Sequence, residues 1–191
     1  MPKIILASSS VQRKALLEEL GIPFDIVVSN VDETPVKALS TTEQMIDISM
    51  RKALAVFDMV EDSEDYIIVA ADQNIFFEGV MYGKPNTIEE ARELIKKMQG
   101  SNGIYAYVGN TVLYISNSTI TKHINECDIA RLRMDYISDE ELEHYLATGS
   151  PLAKCGGINI LNTPGLHLES GKLCTARGMT VDYLIDMLSQ I

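Results

Sequence analysis

The sequence predicts an α/β protein built around a central sheet, and three patterns predict it. Residues 3–7 and 66–71 are nearly unbroken apolar, β-prone runs of strand length, as expected of strands covered on both faces. Between the β-prone runs lie segments whose apolar residues recur at helical spacing behind capping residues. Two longer β-like segments, 104–115 and 119–134, meet at Asn117-Ser118 and read as a hairpin. With 191 residues and 46% hydrophobic content, the chain can bury a core as one domain or two intimate lobes.

Taken in order, the first strand leads into Ser8, Ser9 and Ser10, any of which can cap a following helix. Val11, Ala15, Leu16 and Leu20 carry that helix to Gly21 and Pro23. Strand, polar turn and helix N-terminus together make a natural anion site, with Arg13 one turn in, although an ordinary capped helix has the same signature. A second strand over 24–28 leads to Ser29-Asn30-Val31-Asp32-Glu33, where carboxylates crowd at a strand end or simply face solvent.

Ser40-Thr41-Thr42-Glu43 reads as a capping box opening a long helix, with Met45, Ile46, Met50, Ala53, Leu54 and Phe57 as its apolar stripe and Arg51 and Lys52 midway. The strand at 66–71 ends on Asp72, at the edge where open α/β sheets place ligand chemistry. A hairpin turning at Glu78-Gly79 then delivers Gly83-Lys84-Pro85, and a second capping box, Thr87 to Glu90, starts a helix that stops at Gly100. Ser138 to Glu141 caps a further helix, residues 149–178 read as loops with short strands, and 180–190 closes the chain as an amphipathic helix.

Composition excludes several functions. A formal charge of −11 argues against a nucleic-acid polymer partner, which needs clustered Lys and Arg, but leaves room for a small anion met by a few convergent cations. No apolar stretch approaches the roughly 18–20 residues of a membrane span, and MPKIILA is no signal sequence, so a soluble, cytoplasmic protein is expected. Cys127, Cys155 and Cys174 are too dispersed for a disulfide framework or thiolate zinc site, and His123, His144 and His167 lack metal-ligand spacing. What remains is a set of carboxylates, Glu33 and Asp72, beside cations from separate elements, Arg13, Lys52 and Lys84. Phosphoryl hydrolysis uses that combination, the carboxylates to hold a divalent cation and orient water and the cations to neutralise phosphate oxygens. Charges scattered over a solvated surface are the commoner reading of such residues.

The chain resembles the Maf family over most of its length. The similarity is carried by Ile5-Leu6-Ala7-Ser8-Ser9-Ser10-x-x-Arg13, by Leu16-Leu17-x-x-Leu20-Gly21-Ile22-Pro23-Phe24, and by Val31-Asp32-Glu33, Lys52-Ala53, Ala71-Asp72 and Gly83-Lys84-Pro85 in the family's order. Gly149, Lys154 and Gly156 resemble a later family segment. The resemblance implies one domain of two lobes, an elongated α/β fold with a central mixed sheet, flanking helices and a deep cleft, and a homodimer. It also implies metal-dependent cleavage of nucleoside triphosphates to monophosphate and pyrophosphate, with Mg2+ or Mn2+ as cofactor. By matching position, Ser8, Arg13, Lys52, Lys84 and Lys154 would bind substrate, while Glu33 and Asp72 would bind metal and serve catalysis.

Four positions depart from the family pattern: Gln12 for a cation, Gln73 for a hydroxyl after the central strand, Gly103 where a histidine is usual, and Leu161-Asn162 in the Gly-Ile-Gln turn. They bear on substrate choice, and they also fit a regulator that binds nucleotide without cleaving it. The inosine/xanthosine triphosphate pyrophosphatases form a second candidate family, but Ser8 to Arg13 lacks their Ser/Thr-x-Asn-x-x-Lys opening.

Overall fold

In the computed structural model, residues 2–60 and 64–191 are described. They form a mixed seven-stranded sheet of order β2-β1-β3-β5-β6-β7, with β4 on β3, flanked by helices. By its contacts the chain divides into two units. The first comprises Met1–Asp72, Val108–Asp128 and Gly178–Ile191, the second Gln73–Tyr107 and Ile129–Arg177.

In the first unit β1 (Lys3–Leu6) pairs in parallel with β2 (Asp25–Ile26) on one side and β3 (Tyr66–Phe77) on the other. Ile4, Ile5 and Leu6 are at most 1% exposed, which explains why both faces of β1 are apolar. Helix α1 (Val11–Glu19) begins at Ser10, whose side chain makes no cap bond; Ser8 Oγ instead accepts from Ser10 N. Helix α2 (Thr41–Met59) opens with the expected capping box, Ser40 and Glu43 bonding reciprocally. Its buried face is Met45, Ile48, Ser49, Lys52, Ala53 and Val56, while Leu54 is 39% exposed, so the expected stripe is rotated. The physical reason is that two polar residues belong to the buried face with partners: Ser49 shares a 2.8 Å bond with Thr111, and Lys52 pairs with Asp72. Ile5, Ala7, Ala53, Val56, Tyr66, Ile68 and Leu113 share this unit's core.

Strand β3 does not end at Asp72, as the sequence led us to expect, but runs to Phe77. Its parallel register with β1 ends at Leu6↔Val69; farther on it turns into an arm of a hairpin with β4 (Val80–Tyr82), pairing Ile75 with Tyr82. Glu78 and Gly79, both at positive φ, make the turn. Asp72 therefore sits within a strand, just beyond its parallel half.

In the second unit α3 (Ile88–Met98) is capped by Thr87, which accepts from Glu90 N. The expected reciprocal bond is absent because the Glu90 carboxylate takes Asn86 N instead, at 2.8 Å. Strands β5 (Ile104–Ser116) and β6 (Thr119–Met134) turn at Asn117 and Ser118, both left-handed, and pass through both units. Helix α4 (Asp139–Ala147) has the Ser138–Glu141 capping box. The stretch expected as loops and strands also holds helical turns, at Ser150–Ala153 and Cys155–Gly157, besides β7 (Leu166–Ser170) and α5 (Leu173–Ala176). Strand β7 pairs antiparallel with β6, and Ile75, Phe77, Ala91, Ile95, Met98, Ile104 and Leu132 anchor the unit's core. Helix α6 (Asp182–Ser189) returns to the first unit, where Thr180 N, just before it, bonds Asn110 Oδ1 of β5 at 2.8 Å. Among the described residues no helix is long and apolar enough to cross a membrane.

Candidate active site

Five of the seven expected site residues, Ser8, Arg13, Glu33, Lys52 and Asp72, lie in the first unit. Strand β1 releases the chain at Ala7, whose N–H still bonds Val69 O, and Ser8 follows almost buried. Ser8 Oγ accepts from Ser10 N and from Arg13 Nη1, both at 3.2 Å. A hydroxyl oxygen has two lone pairs, so with both engaged its remaining capacity is to donate, the polarity an anion requires. Arg13 is anchored from the other side by Nε donating to Gly178 O at 2.8 Å. A guanidinium oriented by two fixed acceptors keeps its planar donor fork in one attitude.

The second cluster centres on Lys52. Its buried ammonium lies 2.6 Å from Asp72 Oδ1 and 3.1 Å from Glu33 Oε2. Helix α2 delivers the lysine, the middle of β3 delivers Asp72, and the irregular segment before α2 delivers Glu33. The two carboxylates differ in setting: the Asp72 side chain is 9% exposed and that of Glu33 57%. Glu33 was expected at a strand end, but β2 stops at Ile26 and Glu33 stands well beyond it, outside any strand. The cluster joins two hard oxygen donors at one point, while no group of three or more His, Cys, Asp or Glu suited to a metal occurs among the described residues.

One residue of this neighbourhood carries no sequence signature. Arg51 donates from Nη1 to Asp32 O and from Nη2 to Thr34 O at 3.1 Å, the carbonyls on either side of Glu33, and is itself held by Asp47 Oδ2 at 3.0 Å from Nε. Asp32 Oδ1 accepts from Thr34 N at 2.8 Å. Hydrogen bonds from Thr34, with the Arg51 charge adding, hold the Asp32 carboxyl below its ordinary value. In the sequence Arg51 stands only as a cation midway along a helix, because bonds to backbone carbonyls leave no residue pattern.

Lys84 and Lys154 belong to the second unit. Gly156 N donates to Gly83 O at 2.8 Å, tying the two loops that carry them. Lys84 is exposed, Pro85 beside it buried, and Lys154 half-buried. Gln73, in place of a hydroxyl residue, donates from Nε2 to Ala176 O at 3.2 Å and bridges β3 to the end of α5. Leu161 is 57% exposed and its N–H bonds Asn159 Oδ1 at 3.1 Å, so Asn159 shapes that turn.

A mixed-sheet α/β fold, with an arginine oriented by Ser8 and Gly178 and a lysine shared by two carboxylates, marks an α/β protein with a cluster of ionic side chains in its first unit. The chain belongs to the Maf family: the model of Maf-like proteins matches residues 3–191. It is similar to the dTTP/UTP pyrophosphatase of Bdellovibrio bacteriovorus, 32% identical over 193 residues covering 99% of this chain and 98% of the relative. It is also similar to the dTTP/UTP pyrophosphatase of Clostridium beijerinckii, 33% identical over 192 residues and 99% of both chains. Among solved structures, a HAM1 protein from Coxiella burnetii is matched at a TM-score of 0.46 with 14% identity, over 100% of both chains.

Proposed function

We propose that the chain hydrolyses pyrimidine nucleoside triphosphates such as dTTP and UTP to the monophosphate and pyrophosphate. The observation that carries this reading is the Glu33–Lys52–Asp72 cluster, within a member of a family whose similar proteins bear the name dTTP/UTP pyrophosphatase. Two carboxylates with phosphate and water oxygens completing the shell suit Mg2+ or Mn2+, which seldom use all-protein cages. Glu33 and Asp72 would hold the ion. When bound, it would supply charge neutralisation and a more acidic water.

The chain's own groups do the rest. Arg13 meets phosphate oxygens with charge-assisted bonds, and the Ser8 hydroxyl donates a further one. Lys52 keeps the two carboxylates from repelling each other apart and holds Asp72 in place at 2.6 Å, where it accepts a proton from the attacking water. Lys84 and Lys154 are assigned as phosphate-binding cations of the second unit.

The test is product analysis. Incubation with dTTP, UTP and a panel of other triphosphates in Mg2+ or Mn2+, followed by anion-exchange chromatography, is expected to yield monophosphate and pyrophosphate, fastest from the pyrimidines. Diphosphate with inorganic phosphate would overturn the bond assignment, and binding without any product would make the chain a nucleotide binder.

A further inference from the structure

We infer that Arg51 is the positioning residue that sets Glu33 against Lys52 and Asp72, an inference that rests on the catalytic role proposed for Glu33. The segment carrying Glu33 lies outside every helix and strand, with Asp32, Glu33 and Thr34 all exposed. From residue 28 to 35 it makes no backbone–backbone hydrogen bond among the described residues. Such a segment is free to sample many conformers, and ordering each residue costs on the order of 1–2 kcal/mol. The Glu33–Lys52 ion pair has a half-exposed partner and is a weak restraint by itself.

Arg51 supplies the missing restraint. One guanidinium takes the carbonyls of Asp32 and Thr34, bracketing Glu33, while Asp47 one turn earlier on α2 fixes the guanidinium. The Asp32 side chain closes the turn on Thr34 N. The backbone on both sides of Glu33 is thereby tied to the same helix that presents Lys52, at the next position along it. The two carboxylates and the lysine then move as one body. Gripping two carbonyls and one carboxylate requires a planar fork with several donors, which a lysine ammonium on a flexible stem does not reproduce.

The experiment compares Arg51→Ala and Arg51→Lys, each alone and combined with Glu33→Gln. Hydrogen exchange at the Thr34 amide reads the restraint, and dTTP turnover with Mn2+ reads its consequence. In both single variants the Thr34 amide is expected to exchange faster. The kcat is expected to fall on the order of tenfold to a hundredfold, the scale of a misplaced catalytic group. In the Glu33→Gln background neither change should lower kcat further, because the residue being positioned is already disabled. Arg51→Lys keeps the charge and can still pair with Asp47, so it separates positioning from electrostatics and from loss of the helix. Wild-type protection and turnover in Arg51→Lys, or a full additional loss in the Glu33→Gln background, would overturn the inference. If the wild type releases no pyrophosphate, the proposed activity fails, while unchanged Thr34 exchange in both variants would still refute the restraint.

Discussion

The Lys52 ammonium and the Asp72 carboxylate form a 2.6 Å ion pair with side chains only 7% and 9% exposed, joining the middle of α2 to the middle of β3. Breaking a buried pair strands the surviving charge, at a cost of about 3–5 kcal/mol. Lys52→Met is expected to lower stability by about that amount in urea titrations. Adding Asp72→Asn should recover part of the loss, since no bare carboxylate is then buried. A double variant less stable than Lys52→Met would show that the pair is not the source of the effect.

Asp72→Asn should fold yet abolish pyrophosphate release, and Glu33→Gln should fold and cut it by orders of magnitude to a low, measurable rate. Both keep side-chain size and remove the charge assigned to holding the cation and accepting a proton. Wild-type turnover in either purified variant removes that residue from the mechanism.

Arg13 is held by Ser8 and Gly178 and is assigned to phosphate. Arg13→Ala should weaken binding of a non-hydrolysable triphosphate by about 1.5–3 kcal/mol, roughly tenfold to a hundredfold, for one charge-assisted contact. Calorimetry with several bases distinguishes the assignment from its rival: equal losses support phosphate contact, and a loss confined to one base places Arg13 by the nucleobase.

Gly109 of β5 touches the backbone of α2 so closely that an added Cβ would lie 1.9 Å from Met45 O. Gly109→Ala must push the helix away from the sheet, and overpacking of this kind costs about 1–3 kcal/mol or more. Because α2 carries Lys52 and Arg51, the folded fraction of this variant should also turn over more slowly than wild type. Normal kcat per folded molecule would mean that the helix position is not transmitted to the cluster.

Alkaline pH should reveal a second, half-buried site. Burial, with the Asp128 and Glu126 charges adding, pushes the Cys127 thiol from 9.0 up to about 11. Burial and the Asp128 charge likewise raise Tyr183, whose hydroxyl donates to Asp128 Oδ1 at 3.1 Å. Both groups are neutral when protonated, so the folded state binds these protons more tightly than the unfolded chain. Their stabilising contribution is full below pH 9 and, for Cys127, is lost as pH rises through about 11. The melting temperature should therefore fall over that interval, and the fall should be shallower in Cys127→Ala and in Tyr183→Phe. An unchanged slope in both variants would assign the alkaline transition elsewhere.

Local signals were legible wherever a backbone rule and a residue type coincide. The Ser40 and Ser138 capping boxes, the Glu78-Gly79 and Asn117-Ser118 turns, and the apolar run of β1 all appear where the sequence predicts them. The α2 stripe was misplaced because Ser49 and Lys52 are polar residues on the buried face, and a periodicity of apolar residues passes over them. The end of β3 was misplaced because Asp72, Gln73 and Asn74 resemble a strand terminus, whereas Asp72 and Gln73 find partners that keep them inside one.

By itself, then, the sequence determined the α/β class, the order of the elements and the residue types available for phosphate chemistry, since these follow from propensity, patterning and motif. Tertiary structure alone decided which of them meet. Glu33, Lys52 and Asp72 are separated along the chain, and their convergence depends on the closeness of Gly109 to α2, the register of β1 on β3, and the Arg51 bonds to the Asp32 and Thr34 carbonyls. Those contacts involve backbone atoms, which every residue carries alike, and for that reason no pattern of side chains announces them.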